Sequence, residues 1–448
     1  PSAKLASALA DAYLMLGDLE AAISGYVEDA QREPDSLLYR QSLLFTINYD
    51  PQLSAEQVIG EYRAFGRLLT EDSPPPFVHA TPRDISGRRV RIGFVSPDFR
   101  NHACAYFLHP LFRHLDRSQF EIYAYANVSA PDAETTRFRQ VFDHWIDIAP
   151  LGDGEAAARI RADDLDILFD LAGHTTGERL RVMAMKPASI SASYLGFGYT
   201  TGLEAIDFFL GDETMLPAGC EAYFSEAPFR MAAPMFAYEP PAGTPEVGPL
   251  PALRNGYVTF GSLSRLLRLN DQVLGAWKTL LDRVPGSRLR LDQPSFASES
   301  SARYYRERLT RLGFDPARVD LVVSRPHWQA YNEIDISLDC WPHNVGTTAI
   351  ESLWMGVPLI SKRDRPSVGR VAGVFNKAVG LEDWTVDTVD EFIAKGVAAA
   401  TDLDALAELR AGLRARVQQS GVMDHAGFAR RFEAALIGMI EAQSHQQG

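Results

Sequence analysis

From Arg88 onward, short runs of near-continuous apolar residues alternate with segments of helical period. VRIGFVS (Val90–Ser96), FEIYAYA (Phe120–Ala126), LDILFDLAG (Leu165–Gly173), ISASYLG (Ile190–Gly196) and IDFFLGD (Ile206–Asp212) form a first series. YVTFGSL (Tyr257–Leu263), RLRLD (Arg288–Asp292), VDLVV (Val319–Val323), DISLD (Asp335–Asp339) and PLIS (Pro358–Ser361) form a second, with helices such as Gln272–Val284 and Ala302–Leu312 between them. Strands apolar on both faces belong to parallel sheets covered on both sides, so the class is α/β. Between Pro240 and Pro251 the chain is rich in Pro and Gly and loses its period, which marks a boundary. The pattern predicts two Rossmann-like domains, 85–245 and 250–448. The second ends in an amphipathic helix, Phe428–Ala442, expected to pack back across the junction. Two such domains leave a cleft at the carboxyl ends of their strands, where α/β proteins bind ligands.

Residues 1–76 read as a helical segment and linker. Ala8, Leu9, Tyr13, Gly17, Asp18, Ala22, Tyr26 and Pro34 fall close to the positions of one tetratricopeptide repeat. One repeat cannot bury its own face, so it must pack on further repeats or on the body of the protein. Residues 38–70 also have helical character, and Ser73-Pro-Pro-Pro76 is a rigid linker. The chain opens on Pro1 rather than Met, which fits a processed or truncated chain whose N-terminal address is lost.

The net charge of −14 argues against nonspecific nucleic-acid binding while leaving room for a local basic pocket. No apolar run has membrane length and no signal peptide is visible, so no membrane partner is expected. The three cysteines, Cys104, Cys220 and Cys340, are widely spaced and form neither a metal-ligand pattern nor a disulfide framework. The cytoplasm is the expected compartment.

The chemistry concentrates in LDCWPHNVGTTAIESLWMGVP (Leu338–Pro358). A strand end is followed by the turn formers Pro342, Asn344 and Gly346. Thr347 and Thr348 then open a helix pattern of Ile350, Leu353 and Trp354, which Gly356 and Pro358 stop. A helix N-terminus offers unpaired N–H groups and partial positive charge, which is a phosphate-binding geometry. Glu351, about one turn further on, is placed to accept from a ribose diol. Phosphate and ribose together make a nucleotide. An ordinary strand-to-helix loop with Thr as an N-cap is the bland alternative.

RIGFVSPDFRNH (Arg91–His102), DILFDLAGHTTG (Asp166–Gly177), YLGFGYTTG (Tyr194–Gly202), VTFGSLSRLLRLN (Val258–Asn270), the Leu338–Thr348 segment and ESLWMGVP (Glu351–Pro358) stand in one order. Together they resemble the protein O-glycosyltransferase family that contains O-GlcNAc transferase and the plant-type protein O-fucosyltransferases. The likeness covers about residues 88–440. It implies a GT-B fold preceded by tetratricopeptide repeats, with inverting, metal-independent transfer of a sugar from a nucleotide donor to Ser or Thr of a protein. No cofactor is implied beyond the nucleotide-sugar co-substrate. UDP-GlcNAc is the default donor, and GDP-fucose or a CMP-nonulosonic acid directed to flagellin are the alternatives. The helical repeats select the acceptor, so loss of residues 1–36 is expected to spare donor hydrolysis.

The resemblance also assigns roles. His102 lies near the reacting centre; apart from the resemblance, His174 in LAGHTTG, at another strand's carboxyl end, is a second cleft candidate. Arg268 stands where the family has a Lys that meets the leaving phosphate. Ser264 and Arg265 precede it in place of amide-rich residues. His327 meets the nucleotide base, with a helix-cap role as its bland alternative, and Arg370 faces the phosphates or helps hold the cleft. Gly346 stands where the family often has a polar ring or hydroxyl. These departures bear on donor identity more than on reaction class. His144 is expected to be structural and KRDR (Lys362–Arg365) a solvated loop. A catalytically inactive nucleotide-sugar-binding scaffold and a sugar-nucleotide epimerase are the competing classes.

Overall fold

The computed structural model describes residues 3–33, 36–79, 85–196 and 198–446. Pro34, one of the repeat positions, lies outside them. Two compact units emerge, residues 54–239 with 421–448 and residues 1–53 with 240–420.

The first unit is built on a seven-stranded sheet. Its strands are β1 (Val90–Ser96), β2 (Phe120–Ala126), β3 (His144–Asp147), β4 (Ile167–Asp170), β5 (Ile190–Ser193), β6 (Phe208–Gly211) and β7 (Ala227–Arg230). The order is β3-β2-β1-β4-β5-β6-β7 and every pairing is parallel. Strands with buried neighbours on both sides, β1 and β2, begin and end where their apolar runs do. The edge strand β7 carries Pro228 and is exposed at both ends, so it has no comparable signature. His144 opens β3, its ring stacked on Tyr123 at 4.2 Å, which is a structural role.

The final helix, His425–Gln446, belongs to this unit. Phe432 lies 5.5 Å from both Phe169 and Tyr194, and Glu433 Oε1 accepts from the Asp116 N–H at 2.7 Å. Residues 421–448 are therefore better grouped with the first sheet than with residues 250–420, because the helix's apolar face is covered there. The helix Ala55–Glu71 also belongs here. Gly66 and the backbone of Tyr62 pass so close to Gly202 that a Cβ at either glycine would collide with main chain.

The second unit carries six strands, β8 (Thr259–Ser262), β9 (Arg288–Asp292), β10 (Val319–Val322), β11 (Ile336–Leu338), β12 (Leu359–Lys362) and β13 (Thr385–Val386). Their order, β10-β9-β8-β11-β12-β13, is again parallel throughout. This is the doubly wound arrangement, and the strand order reverses between β8 and β11. Ligands of such sheets sit outside the carboxyl ends of the strands at that reversal.

The helices Ala3–Leu16, Leu19–Arg32 and Leu37–Ile47 belong to this second unit. Ala10, Ala22 and Tyr26 form the buried seam of the first two. Gly25 comes so near Ala10 that a Cβ would meet it at 2.9 Å, the close approach the repeat's small residues predict. The helical region 1–76 is thus shared between the two units rather than forming a domain of its own.

Candidate functional site

The loops after β8 and β11 carry most of the expected donor residues. After β8, Ser262 Oγ accepts from the Ser264 N–H at 3.3 Å and turns the chain into a short 3₁₀ segment, Leu266–Arg268. Asn270 then caps the helix Asp271–Arg283 by accepting from Val273 N–H at 3.0 Å. After β11, the buried carboxylate of Asp339 organises the loop. Its Oδ1 accepts from the N–H groups of Cys340 (2.7 Å) and Val345 (2.8 Å), and its Oδ2 from Ser361 Oγ (2.5 Å). Burial pushes the Asp339 carboxyl up to about 7 against these hydrogen bonds and the Arg268 charge. Cys340 Sγ, 3.5 Å from Ser264 Oγ, joins the two loops. Ser264 is buried by that contact, so it fastens loop to loop rather than offering an open hydroxyl.

Gly346 precedes the helix Thr347–Trp354, whose first turn holds no acidic residue. A Cβ on Gly346 would meet only Val371, at an ordinary 3.7 Å, so the glycine leaves space rather than relieving strain. Thr347 and Thr348 are half-buried at the helix start, where N–H groups lack intrahelical acceptors.

Glu351 is only 4% exposed, and its Oε2 meets His327 Nε2 at 3.3 Å and Tyr331 Oη at 3.2 Å. Tyr331 Oη also lies 3.3 Å from the Thr348 carbonyl. The hydrogen bond and charge of Glu351 raise the His327 imidazole above its ordinary value. The carboxylate expected to take a ribose diol thus holds His327 and Tyr331 through one of its oxygens. Buried Arg410 fixes the turn that bears them, donating to the carbonyls of Tyr331 (3.0 Å) and Ile334 (2.8 Å).

Arg370 caps the helix Val371–Ala378 from a loop tied to the β11 loop by Asn344 N–H to the Val368 carbonyl, 2.8 Å. KRDR is not a solvated run. Arg365 is 6% exposed and donates to the carbonyls of Asp50 and Leu53 at 2.5 Å. Arg265 is exposed and Arg268 half-buried. Burial first, and then the charges of Arg268, Arg265 and Arg365, hold His343 neutral well below its usual range. An acidic chain has therefore gathered a local basic cluster beside the helix start.

His102 and His174 lie in the first unit. His102 Nδ1 accepts from the Cys104 N–H at 3.3 Å and stands 3.6 Å from Asp98 Oδ2. Among the described residues, Asp98, His102 and Cys104 each bring one potential ligand atom within 4.8 Å of the others. Burial raises the Cys104 thiol, and the Cys104 N–H already occupies the imidazole nitrogen, so these donors are poorly suited to a cation. His174 is not a reacting group. It is buried, donates Nε2–H to the Thr201 carbonyl (2.8 Å), and packs edge-on against Tyr62 and Phe65 at 4.9 and 5.2 Å. Burial lowers it to about 4.

Tyr331, Asp339, His343 and Tyr49 are the residues that sequence reasoning did not single out. Only Asp339 left a signal, as a carboxylate ending an otherwise apolar strand.

A family model described as "Glycosyl transferase family 41" matches residues 68–238 and 251–432. Curated relatives include two proteins named "Probable UDP-N-acetylglucosamine--peptide N-acetylglucosaminyltransferase SPINDLY". The one from Solanum lycopersicum is 32% identical over 418 residues, 91% of this chain and 44% of its own length. The one from Oryza sativa is 32% identical over 428 residues, 93% of this chain and 46% of its own. The chain thus spans less than half the length of these relatives. A solved structure, a mutant O-GlcNAc transferase from Thermobaculum terrenum, is 29% identical with a TM-score of 0.92, covering 100% of this chain and 85% of that one.

Proposed function

The chain belongs to glycosyl transferase family 41, and on that premise we propose that it moves a sugar, with inversion, from a nucleotide donor to a Ser or Thr hydroxyl of an acceptor protein. The observation that carries this reading is the second unit's loop pair. Half-buried Thr347 and Thr348 open a helix at the reversal of the strand order, with a basic cluster beside them and His327 held by Glu351 next to them. As the glycosidic bond breaks, negative charge grows on the leaving phosphate while the acceptor oxygen bonds to the sugar and loses its proton. Donors aimed at that phosphate before the reaction stabilise the transition state most. The helix N-terminus, the two hydroxyls and Arg268 are the groups we assign to this. Four arginines, with Arg370 included, supply positive charge of the kind a metal would otherwise bring. His327 is assigned to the nucleotide base. His102 is assigned to orienting the acceptor or sugar.

UDP-GlcNAc is the donor we favour, since the named relatives are UDP-N-acetylglucosamine transferases. Arg268 and Gly346 favour a test of GDP-fucose and CMP-nonulosonic acids beside it. The acceptor protein, flagellin among the candidates, we assign to the helical segment. Thermal-shift titration with UDP, GDP and CMP sugars tests the reading, because a bound nucleotide raises the melting temperature by mass action. One nucleotide should stabilise selectively, and the matching sugar should appear on a Ser/Thr peptide. Stabilisation without turnover would leave a binding scaffold, conversion of the nucleotide sugar to its epimer without an acceptor would make it an epimerase, and no response to any nucleotide would end the proposal.

A further inference from the structure

Arg268 sits on three residues of 3₁₀ structure, a segment with little stiffness of its own. Its support comes from the N-terminal helices of the same unit. Gly17, at φ +75° between the first two helices, approaches the Leu266 carbonyl so closely that a Cβ would lie 2.7 Å from its oxygen. Leu267 packs with Leu19 and Tyr49 in one buried cluster. Arg308 spans the two parts, donating to the carbonyls of Gly17 (2.7 Å) and Leu269 (3.0 Å). Tyr304 Oη bonds Asp18 Oδ2 at 2.6 Å.

The stretch after the third helix is fastened just as closely. Arg365 takes the Asp50 and Leu53 carbonyls, and Asn270 Nδ2 reaches the carbonyls of Tyr49 (3.5 Å) and Trp341 (2.7 Å). Between these ties the buried Tyr49 ring stacks on His343, centroids 4.6 Å apart and planes within 14°. The Arg268 guanidinium carbon lies 5.8 Å from the same ring centre. Among the described residues, Arg268 Nε is buried without a hydrogen-bond partner. A long cation with few fixed bonds is thus confined by an aromatic wall.

The chemistry of the wall matters. A carboxylate would fix an arginine more firmly but would neutralise it. Burial keeps the Tyr49 phenol protonated and His343 uncharged, so these two rings confine Arg268 and leave its charge available. We propose that Tyr49 is a positioning residue for Arg268, and that the helical segment, through Tyr49 and Gly17, sets the turnover of the donor site as well as any choice of acceptor. This rests on the reading of Arg268 as the leaving-group cation.

The test uses donor hydrolysis without acceptor, which removes acceptor selection, on the full chain. Tyr49→Phe keeps the stack on His343 and removes the hydroxyl, and Tyr49→Leu removes the wall. We expect kcat to fall about 3–10-fold and about 30-fold respectively, with nucleotide Kd within about twofold, the pattern of an interaction made in the transition state. In an Arg268→Ala background neither substitution should lower kcat further, since residues acting as one unit are non-additive. Gly17→Ala should resemble Tyr49→Leu. Parental kcat in folded Tyr49→Leu, or an undiminished loss on top of Arg268→Ala, overturns the proposal. A second readout does not depend on turnover. The ¹⁵Nε resonance of Arg268, assigned through Arg268→Lys, should report a rigid side chain in the parent and a mobile one in Tyr49→Leu. If the parent hydrolyses no nucleotide sugar, the functional reading fails while this resonance still decides the positioning. An Arg268 equally rigid in both proteins overturns it.

Discussion

Two of the Thr-Thr pairs in the sequence directly follow a middle strand of a sheet, GHTTG (Gly173–Gly177) after β4 and GTTA (Gly346–Ala349) after β11. Both follow a buried aspartate that gathers loop N–H groups. Asp170 holds Ala172 (3.2 Å) and Gly173 (2.8 Å), and Asp339 holds Cys340 and Val345. Burial raises both carboxyls to about 7. The scaffolds then diverge. In the first unit the next helix does not start until Leu180, so the threonines lie in a turn, and Thr175 Oγ1 spends its hydrogen bond on the Ala172 carbonyl at 2.9 Å. In the second unit the threonines are themselves the start of the helix. One motif closes a turn and the other opens a helix, and the difference is where the helix begins.

Removing the cation of the loop after β8, the partner of the second Thr-Thr loop, should have the largest effect. Arg268→Ala is expected to lower turnover ~10²–10³-fold, as loss of one preorganised electrostatic donor does, with a much smaller change in donor affinity. Arg268→Lys should recover only part of the loss if the loop is shaped for a guanidinium. Steady-state kinetics on the three proteins checks this, and parental turnover in Arg268→Ala would take Arg268 out of the chemistry assigned to the second unit's loop pair.

His174 sharpens the other side of the comparison, because its effect should be on stability. Its folded pKa is about 4 against about 6.5 unfolded. Between those values the unfolded chain binds the proton and the folded one does not. The contribution is complete above pH 6.5 and is lost as pH falls towards 4, about 3 kcal/mol in all. Asp170 and Asp339 act in the opposite sense, losing stability as pH rises towards 7, so the measurement is a difference. Urea unfolding of the parent and His174→Gln at pH 7 and 5 should show the parent losing more on acidification, with kcat of folded His174→Gln near parental at pH 7. Equal losses would mean His174 is not buried neutral.

The paired threonine substitutions come next. Thr347→Val with Thr348→Val should weaken nucleotide binding by roughly 1–3 kcal/mol through lost hydrogen bonds to a charged group. Thr175→Val with Thr176→Val should leave nucleotide affinity unchanged and cost the fold about 1 kcal/mol at most, the worth of one neutral hydrogen bond. Calorimetric titration of both pairs, with matched effects on affinity, would erase the distinction between the loops.

The sequence made the central strands legible because burial on both faces leaves an unbroken apolar run, and β1 and β2 match theirs residue for residue. It hid β7, whose Pro228 suits only an edge, and β13, two residues long. Thr347 and Thr348 were legible through local order alone, turn formers followed by helical period. His174 was not, since what neutralises it is Tyr62 and Phe65, supplied by a distant helix. For the same reason Arg365 looked like part of a solvated charge run and Tyr49 like any helical aromatic. On the proposed role of Arg268, the expectation that residues 1–36 leave donor chemistry untouched is reversed, because Gly17 lies against the segment that carries Arg268. Deleting them should reduce hydrolysis and transfer together.

The most direct test of the account is a crystal structure of the protein with the nucleotide that thermal shift selects. The account predicts phosphate oxygens within hydrogen-bond distance of the Thr347 and Thr348 N–H groups and of the Arg268 guanidinium, with His327 at the base. A phosphate bound instead at Gly173–Gly177, or one that leaves Arg268 turned away, would contradict it.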